Sequence, residues 1–94
     1  MARTIRMPLT DQQKKTLFYI INHIDNKGFP PTIPEIQEKL GFRNPGYVHK
    51  ILLYLEKKGY IIRKKGEHRS IRLTELSEDF SYPQQLPLIE DKML

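Results

Sequence analysis

The sequence predicts a small, mainly α-helical α+β domain, in which three helices are followed by a two-stranded β-hairpin. Two observations support this prediction. Three helix-capping patterns occur within residues 10–45, and each is followed by apolar residues at helical spacing. Beyond them, two isoleucine-containing segments flank a polar connector with a glycine, a pattern typical of a hairpin. A chain of 94 residues has room for one such domain.

The first helix is predicted from a capping box at Thr10-Asp11-Gln12-Gln13, in which residues 10 and 13 can satisfy each other's backbone N–H groups. Gly28 is the expected left-handed residue after its last turn. The apolar residues between them are Leu17, Phe18, Ile20, Ile21 and Ile24. They cover a wide stripe, so we expect a largely embedded helix with His23 on its surface.

The second helix is predicted to be short. The Phe29-Pro30-Pro31 segment is a stiff extended connector, because each proline restricts its own backbone and that of its predecessor. Thr32 and Glu35 then form a second capping box. The helix is expected to bury Ile33, Ile36 and Leu40 and to stop at Gly41.

The third helix is predicted over residues 45–58. Asn44 is its N-cap, Pro45 occupies the first helical position, and Gly59 ends it. Val48, Ile51, Leu52 and Leu55 recur at the spacing of one buried helical face.

Residues 60–63 and 70–74 are the predicted strands, and residues 64–69 connect them. Because two strands alone are marginally stable, the hairpin must pack on the helices. This arrangement is the winged helix-turn-helix. We expect residues 1–75 to form that domain and residues 76–94 to form an acidic, polar linker or tail.

The charge is distributed unevenly. The chain carries a net charge of +5, but residues 1–75 hold fifteen Lys and Arg against seven Asp and Glu, a net charge of +8. Residues 76–94 hold one Lys against four acidic residues. Such a basic domain favours a polyanionic partner, whereas a well-solvated surface is the plainer interpretation.

The sequence lacks the residues that several classes of functional site require. There is no cysteine for a disulfide or thiolate metal site. His23, His49 and His68 lack a second ligand at metal spacing, and no nucleophile elbow or phosphate-binding glycine loop occurs. No apolar run has the roughly 18 residues of a membrane span. We expect a cytoplasmic protein with no enzymatic activity, metal or cofactor.

The outward face of the third helix is the candidate binding site, because a helix can lie in the major groove of double-stranded DNA. Asn44 and Lys50 can read base edges, and Tyr47 and His49 can contact a thymine methyl group or a phosphate. The candidate binding residues on this helix and immediately before it are Arg43, Asn44, Gly46, Tyr47, His49, Lys50 and Tyr54. The plainer alternative is that Asn44 only caps the helix and Lys50 is only solvated.

The hairpin connector is the second part of the candidate site. Its charged residues are Lys64, Lys65, His68 and Arg69, placed around Gly66. Clustered cations on a loop suit phosphates or the minor groove. The alternative is an edge hairpin that its lysines keep from aggregating.

Six motifs within residues 9–74 resemble a known family. They are Leu9-Thr10-Asp11-Gln12-Gln13, Gly28-Phe29-Pro30-Pro31-Thr32, Glu35-Ile36, Leu40-Gly41-Phe42-Arg43-Asn44-Pro45, Leu55-Glu56-Lys57-Lys58-Gly59 and Ile71-Arg72-Leu73. Together they resemble the N-terminal DNA-binding domain of LexA, the repressor of the bacterial SOS response. The resemblance continues weakly at Leu86-Pro87-Leu88-Ile89. It implies a sequence-specific repressor that binds a palindromic operator, with a homodimer on DNA.

The resemblance also has departures. It maps operator reading onto residues 44, 46, 47, 49 and 50, but the enterobacterial form is acidic where this chain has His49 and Lys50. We therefore expect a different operator. LexA-like repressors also carry a C-terminal domain that dimerises and cleaves itself with a Ser–Lys pair. This sequence ends at Leu94, before such a domain, which fits either a truncated chain or a naturally short relative.

A second functional hypothesis is a winged-helix protein–protein adaptor in phage or plasmid replication, or in the regulation of a host repressor. The outward Tyr47, Leu53 and Tyr54 and the apolar residues 86–89 favour it. Salt distinguishes the two, because DNA binding weakens steeply as salt rises and apolar docking does not.

Overall fold

Three helices and a short hairpin make up the computed structural model of the chain, which describes residues 8–64, 66–67 and 69–78. The elements in chain order are α1 (Asp11–Lys27), α2 (Ile33–Leu40), α3 (Pro45–Lys57), β1 (Ile61–Ile62) and β2 (Arg72–Leu73). The predicted α+β winged helix-turn-helix is confirmed.

All three predicted helix starts are present. The Gln13 N–H donates to Thr10 Oγ1 at 3.2 Å, and the Thr10 N–H donates back to Gln13 Oε1 at 3.2 Å. Thr32 and Glu35 repeat this capping box on α2, with distances of 2.9 and 3.3 Å. On α3 the Tyr47 N–H donates to Asn44 Oδ1 at 2.9 Å. These caps fix where each helix begins and therefore where the turn between α2 and α3 lies.

The core lies where the three helices meet, and β1 closes it. Its residues are Leu17, Ile20, Ile21, Ile36, Val48, Ile51, Leu52, Leu55, Tyr60, Ile61 and Ile71. The apolar face of α3 packs on both α1 and α2, so its opposite face is left to solvent. Ile33 and Leu40, expected in the core, are half-buried and pack against its edge.

The hairpin is shorter than predicted. Its strands are antiparallel and pair two residues each, Ile61 with Leu73 and Ile62 with Arg72. Beyond them a side chain replaces the ladder: the Lys64 N–H donates to Ser70 Oγ at 3.2 Å, and Ser70 Oγ donates to the Lys64 carbonyl at 3.0 Å. A local side-chain bond of this kind competes with regular strand pairing, which accounts for the early end of the strands.

The packed region continues past the hairpin. A helical turn spans residues 75–78, Leu76 packs against the core, and Ser77 is buried. Ser77 Oγ donates to the Thr74 carbonyl at 2.7 Å, and Thr74 Oγ1 donates to the Gly59 carbonyl at 2.6 Å. Residue 75, where we predicted the domain to end, therefore lies within this packed region. The remainder of the predicted tail, residues 79–94, lies outside the described residues.

Candidate DNA-binding interface

Helix α3 has one buried face and one exposed face. Val48, Ile51, Leu52 and Leu55 are buried, as their spacing predicts. The predicted site residues on the exposed side are Arg43, Asn44, Gly46, Tyr47, His49, Lys50 and Tyr54. All seven predicted residues, two just before α3 and five on it, are exposed, and we call the surface they form the α3 face.

The N-terminal end of the α3 face is held by contacts within the chain. The Tyr47 ring packs edge-on against Phe42, with centroids 5.2 Å apart, and stays 40% exposed. The side-chain oxygen of Asn44 is committed to the helix cap, so its NH₂ group is the part that can donate to a ligand. A Cβ at Gly46 would lie 3.3 Å from Asn44 Oδ1, so a side chain there would crowd the cap.

His49 occupies the flank of the α3 face. It lines a cavity of about 880 Å³ between α3 and the hairpin, together with Leu53, Lys64 and Ser70. Its imidazole is thus placed towards the hairpin, whereas Lys50 does not line that cavity. Gly46, Tyr47 and Tyr54 are exposed and do not line the cavity either, so His49 differs from these residues and from Lys50 in lying next to the hairpin.

The hairpin connector is tied to α3 at its start. Arg63 Nη2 lies 3.2 Å from Glu56 Oε1, an ion pair that joins the end of β1 to α3. Lys64 follows it and is exposed. Lys65 and His68, predicted to contact phosphates, lie outside the described residues.

Arg69 differs from its sequence-based prediction as a cation on the free connector. Its Nη1 donates to the Pro30 carbonyl at 2.8 Å and to Glu35 Oε1 at 3.1 Å, and its Nη2 donates to Glu35 Oε2 at 3.0 Å. Its guanidinium carbon lies 4.7 Å from the centroid of the Phe29 ring. The reason is geometric: Arg69 lies next to the loop between α1 and α2 and the first turn of α2, where the Pro30 carbonyl and the Glu35 carboxylate suit its planar guanidinium.

Glu35 is the centre of this cluster. The hydrogen bond from Arg69, and then that from the Thr32 backbone, lower the pKa of the Glu35 carboxyl to about 2. The carboxylate therefore stays ionised through the physiological range while it also caps α2.

His23 corrects a second expectation, since it is buried and not on the helix surface. Its Nδ1 lies 2.8 Å from the Phe29 carbonyl, so that nitrogen carries the proton and donates. Its Nε2 lies 3.7 Å from Glu35 Oε1. The ring also packs edge-on against Tyr19 and Phe29. A lone histidine among apolar residues gave no sequence signal for these contacts.

Two further observations bound the chemistry of the described part of the chain. No group of three or more His, Cys, Asp or Glu side chains there is arranged to hold a metal ion. None of its helices is both long and apolar enough to cross a membrane.

The chain matches a family model described as the LexA DNA binding domain over residues 6–70. It is 37% identical over 84 residues to the LexA repressor of Glaesserella parasuis, covering 89% of this chain and 40% of that protein. The LexA repressor of Marinobacter nauticus is 40% identical over 77 residues, which cover 82% of this chain and 38% of that protein. The LexA repressor of Geobacter sp. strain M21 is 41% identical over 75 residues, which cover 80% of this chain and 37% of that protein. The chain thus spans about two fifths of the length of these curated relatives.

Proposed function

The chain belongs to the LexA DNA-binding domain family, and from this membership we propose that it binds a specific sequence of double-stranded DNA as the DNA-reading part of a transcriptional repressor. In this proposal α3 lies in the major groove. The connector of the hairpin, residues 64–69, which we call the wing, lies against the sugar–phosphate backbone.

The structural observation that supports the proposal most directly is the division of α3 into a buried and an exposed face. Its 13 residues extend over roughly 20 Å at the rise of an α-helix. The major groove is wide enough to admit a helix, and its base edges carry a distinct pattern for each base pair. Polar and aromatic side chains held on a rigid, exposed face can read that pattern.

The residues of the α3 face divide by chemistry. Lys50 supplies donors that suit guanine O6 and N7, and the rings of Tyr47 and Tyr54 suit a thymine methyl group. The NH₂ group of Asn44 can donate to an acceptor at the edge of the proposed site. Arg43 and Lys64 are exposed cations suited to phosphates. Gly46 allows the backbone close to the DNA, and His49 faces the side nearest the wing.

The operator in this proposal is palindromic and bound by two copies of the chain. Paired recognition helices read half-sites about one helical turn, or ~34–36 Å, apart. One domain alone then binds weakly, because the second half-site adds affinity only when the two copies are coupled.

A selection from a random duplex library at two salt concentrations tests the proposed function. We expect enrichment of a defined half-site, or of two half-sites in inverted repeat, with affinity falling steeply as salt rises. Salt-sensitive background binding with no enriched sequence would contradict sequence-specific recognition.

The second candidate function is a protein–protein adaptor, and exposed apolar side chains favour it. Leu53 is 45% and Ile62 59% exposed, on the side of the molecule that carries α3 and β1. Affinity for a protein partner through these side chains should change little between low and high salt, in contrast to DNA binding.

A further inference from the structure

We propose that Arg69 and Glu35 form a clamp that positions the wing for DNA binding, so that Arg69 serves recognition without touching DNA itself. The inference rests on the proposed DNA-binding function and adds to it a pair of positioning residues.

The clamp joins parts of the chain that are distant in sequence. Arg69 lies 34 residues from Glu35 and 39 from Pro30, and its guanidinium spans both. Each of its two terminal nitrogens contacts a separate oxygen of the Glu35 carboxylate. A bidentate pair of this kind fixes orientation as well as distance, which a single-point contact does not.

The backbone at Arg69 gives independent support. Its φ of 48° is the only positive value at a non-glycine residue in the described part of the chain. A side chain with a Cβ disfavours this left-handed conformation, so surrounding contacts must hold it there. The contacts of the guanidinium supply that restraint.

The left-handed turn has a direct consequence for Lys64. It places Ser70 so that its hydroxyl both accepts from the Lys64 N–H and donates to the Lys64 carbonyl. Arg69 therefore acts on Lys64 through Ser70. Release of Arg69 would free both the turn and the exposed cation that we assign to a phosphate.

The hairpin is attached to α3 just before the wing begins and to α2 where the wing ends. Arg63 is paired with Glu56 on α3 at the start, and Arg69 is paired with Glu35 on α2 at the end. Because α2 packs on α3, these two ion pairs place the wing and the α3 face in one frame.

The competing interpretation is that Arg69 leaves Glu35 and contacts a phosphate. The two interpretations predict opposite effects when Glu35 is neutralised. Without positioning, loss of an acidic charge should strengthen binding to a polyanion and release Arg69 for it. With positioning, the same change should weaken binding.

The experiment compares Glu35→Gln with wild type on the selected duplex across a salt series. Glutamine still suits a capping box, so α2 is retained. We expect a loss of affinity of about three- to ten-fold and a log–log salt slope smaller by about one, because one phosphate contact is lost. The preferred sequence should not change. Glu38→Gln, which removes the same charge from an exposed position on α2, should bind as tightly as wild type or slightly more tightly.

Hydrogen exchange gives a second measurement that does not depend on DNA. In Glu35→Gln the Lys64 amide should exchange faster than in Glu38→Gln, while amides of the α1 core stay protected. Glu35→Gln binding as tightly as Glu38→Gln, or unchanged exchange at Lys64, would overturn the clamp. A wild-type chain that selects no duplex would instead overturn the proposed function itself, and the positioning role with it.

Discussion

Under the proposed function, Lys50 is the residue of the α3 face whose charge should bear most directly on sequence preference. Its ammonium group can only donate hydrogen bonds, which suits guanine, whereas a carboxylate at that position would accept from cytosine N4. We therefore predict that Lys50→Glu changes which duplex is preferred, in addition to weakening binding by about 1–3 kcal/mol on the original site. The measurement is a parallel selection with the wild type and the variant.

Lys15→Glu is the matched control, since it makes the same charge change on an exposed position of α1. It should weaken binding to all sequences slightly and leave the selected motif as in wild type. If Lys50→Glu returned that same motif, the assignment of base reading to Lys50 would be wrong, and its role would be limited to phosphate contact.

Glu35 also makes stability depend on acid pH. Its pKa falls from 4.5 to about 2 in the folded chain, so the carboxylate stabilises the fold fully above pH 4.5 and loses this effect as pH falls towards 2. Because the side chain is 41% exposed, solvent screening reduces the contribution to about 1 kcal/mol.

The measurement is urea unfolding of wild type and Glu35→Gln at several pH values. Wild type should be the more stable at pH 7, and the difference should shrink steadily between about pH 4.5 and pH 2. A difference that stayed constant over this range would contradict the ion pair with Arg69.

At the scale of the elements, the N-caps of α1 and α3 have similar chemistry but different positions. Thr10 and Asn44 each accept one first-turn N–H. Replacing either by alanine should cost about 1 kcal/mol of stability. Only Asn44→Ala should also weaken DNA binding, since Asn44 lies on the α3 face and Thr10 lies on α1 outside it.

Thermal unfolding and duplex affinity, measured on both alanine variants, separate the two effects. Equal losses of affinity in Thr10→Ala and Asn44→Ala would show that the effect comes from general loosening of the domain. In that case Asn44 would have only its capping role.

The same elements show what the sequence could predict and what it could not. The helix boundaries followed from caps, prolines and glycines that act on neighbours three or four residues away, and the structure retains them at Thr10, Thr32 and Asn44. The α3 face followed from helical spacing alone. These are local effects, so a short stretch of sequence contains the information.

The contacts of the wing, in contrast, join residues that are distant in sequence, so no short stretch of the chain could predict them. Arg69 appeared as one more cation in a basic connector, because its partner lies 34 residues earlier in the chain. His23 appeared as a surface histidine for the same reason, since its carbonyl and carboxylate partners belong to the next loop and helix. A charge pattern in the sequence does not distinguish a cation that is free to bind a phosphate from one that is already paired with a carboxylate of the same chain.

For the whole molecule, α3 and the hairpin strands pack on one core, an arrangement that under the proposed function suits a single half-site. Under the proposed function, the excess of basic residues before position 76 gives attraction to any duplex, and the α3 face gives the preference among duplexes. Specific repression of one operator in a genome needs more discrimination than a single half-site offers, so coupling between two domains should dominate the affinity.

This argument predicts the behaviour of two copies of the chain joined by a flexible Gly/Ser linker. A linker of about 40 residues has a root-mean-square length of roughly 35 Å, close to the ~34–36 Å between half-sites on one face of the duplex. The tandem protein should bind a duplex with two selected half-sites about 10²–10⁴-fold more tightly than a duplex with one. Its salt slope on the double site should be close to twice that of the single domain, because the number of phosphate contacts doubles.

Introducing Lys50→Glu into one copy alone should return the affinity towards that of a single half-site, whereas Lys15→Glu in one copy should not. Equal affinity for one and two half-sites would contradict the palindromic operator and would leave each domain as an independent reader.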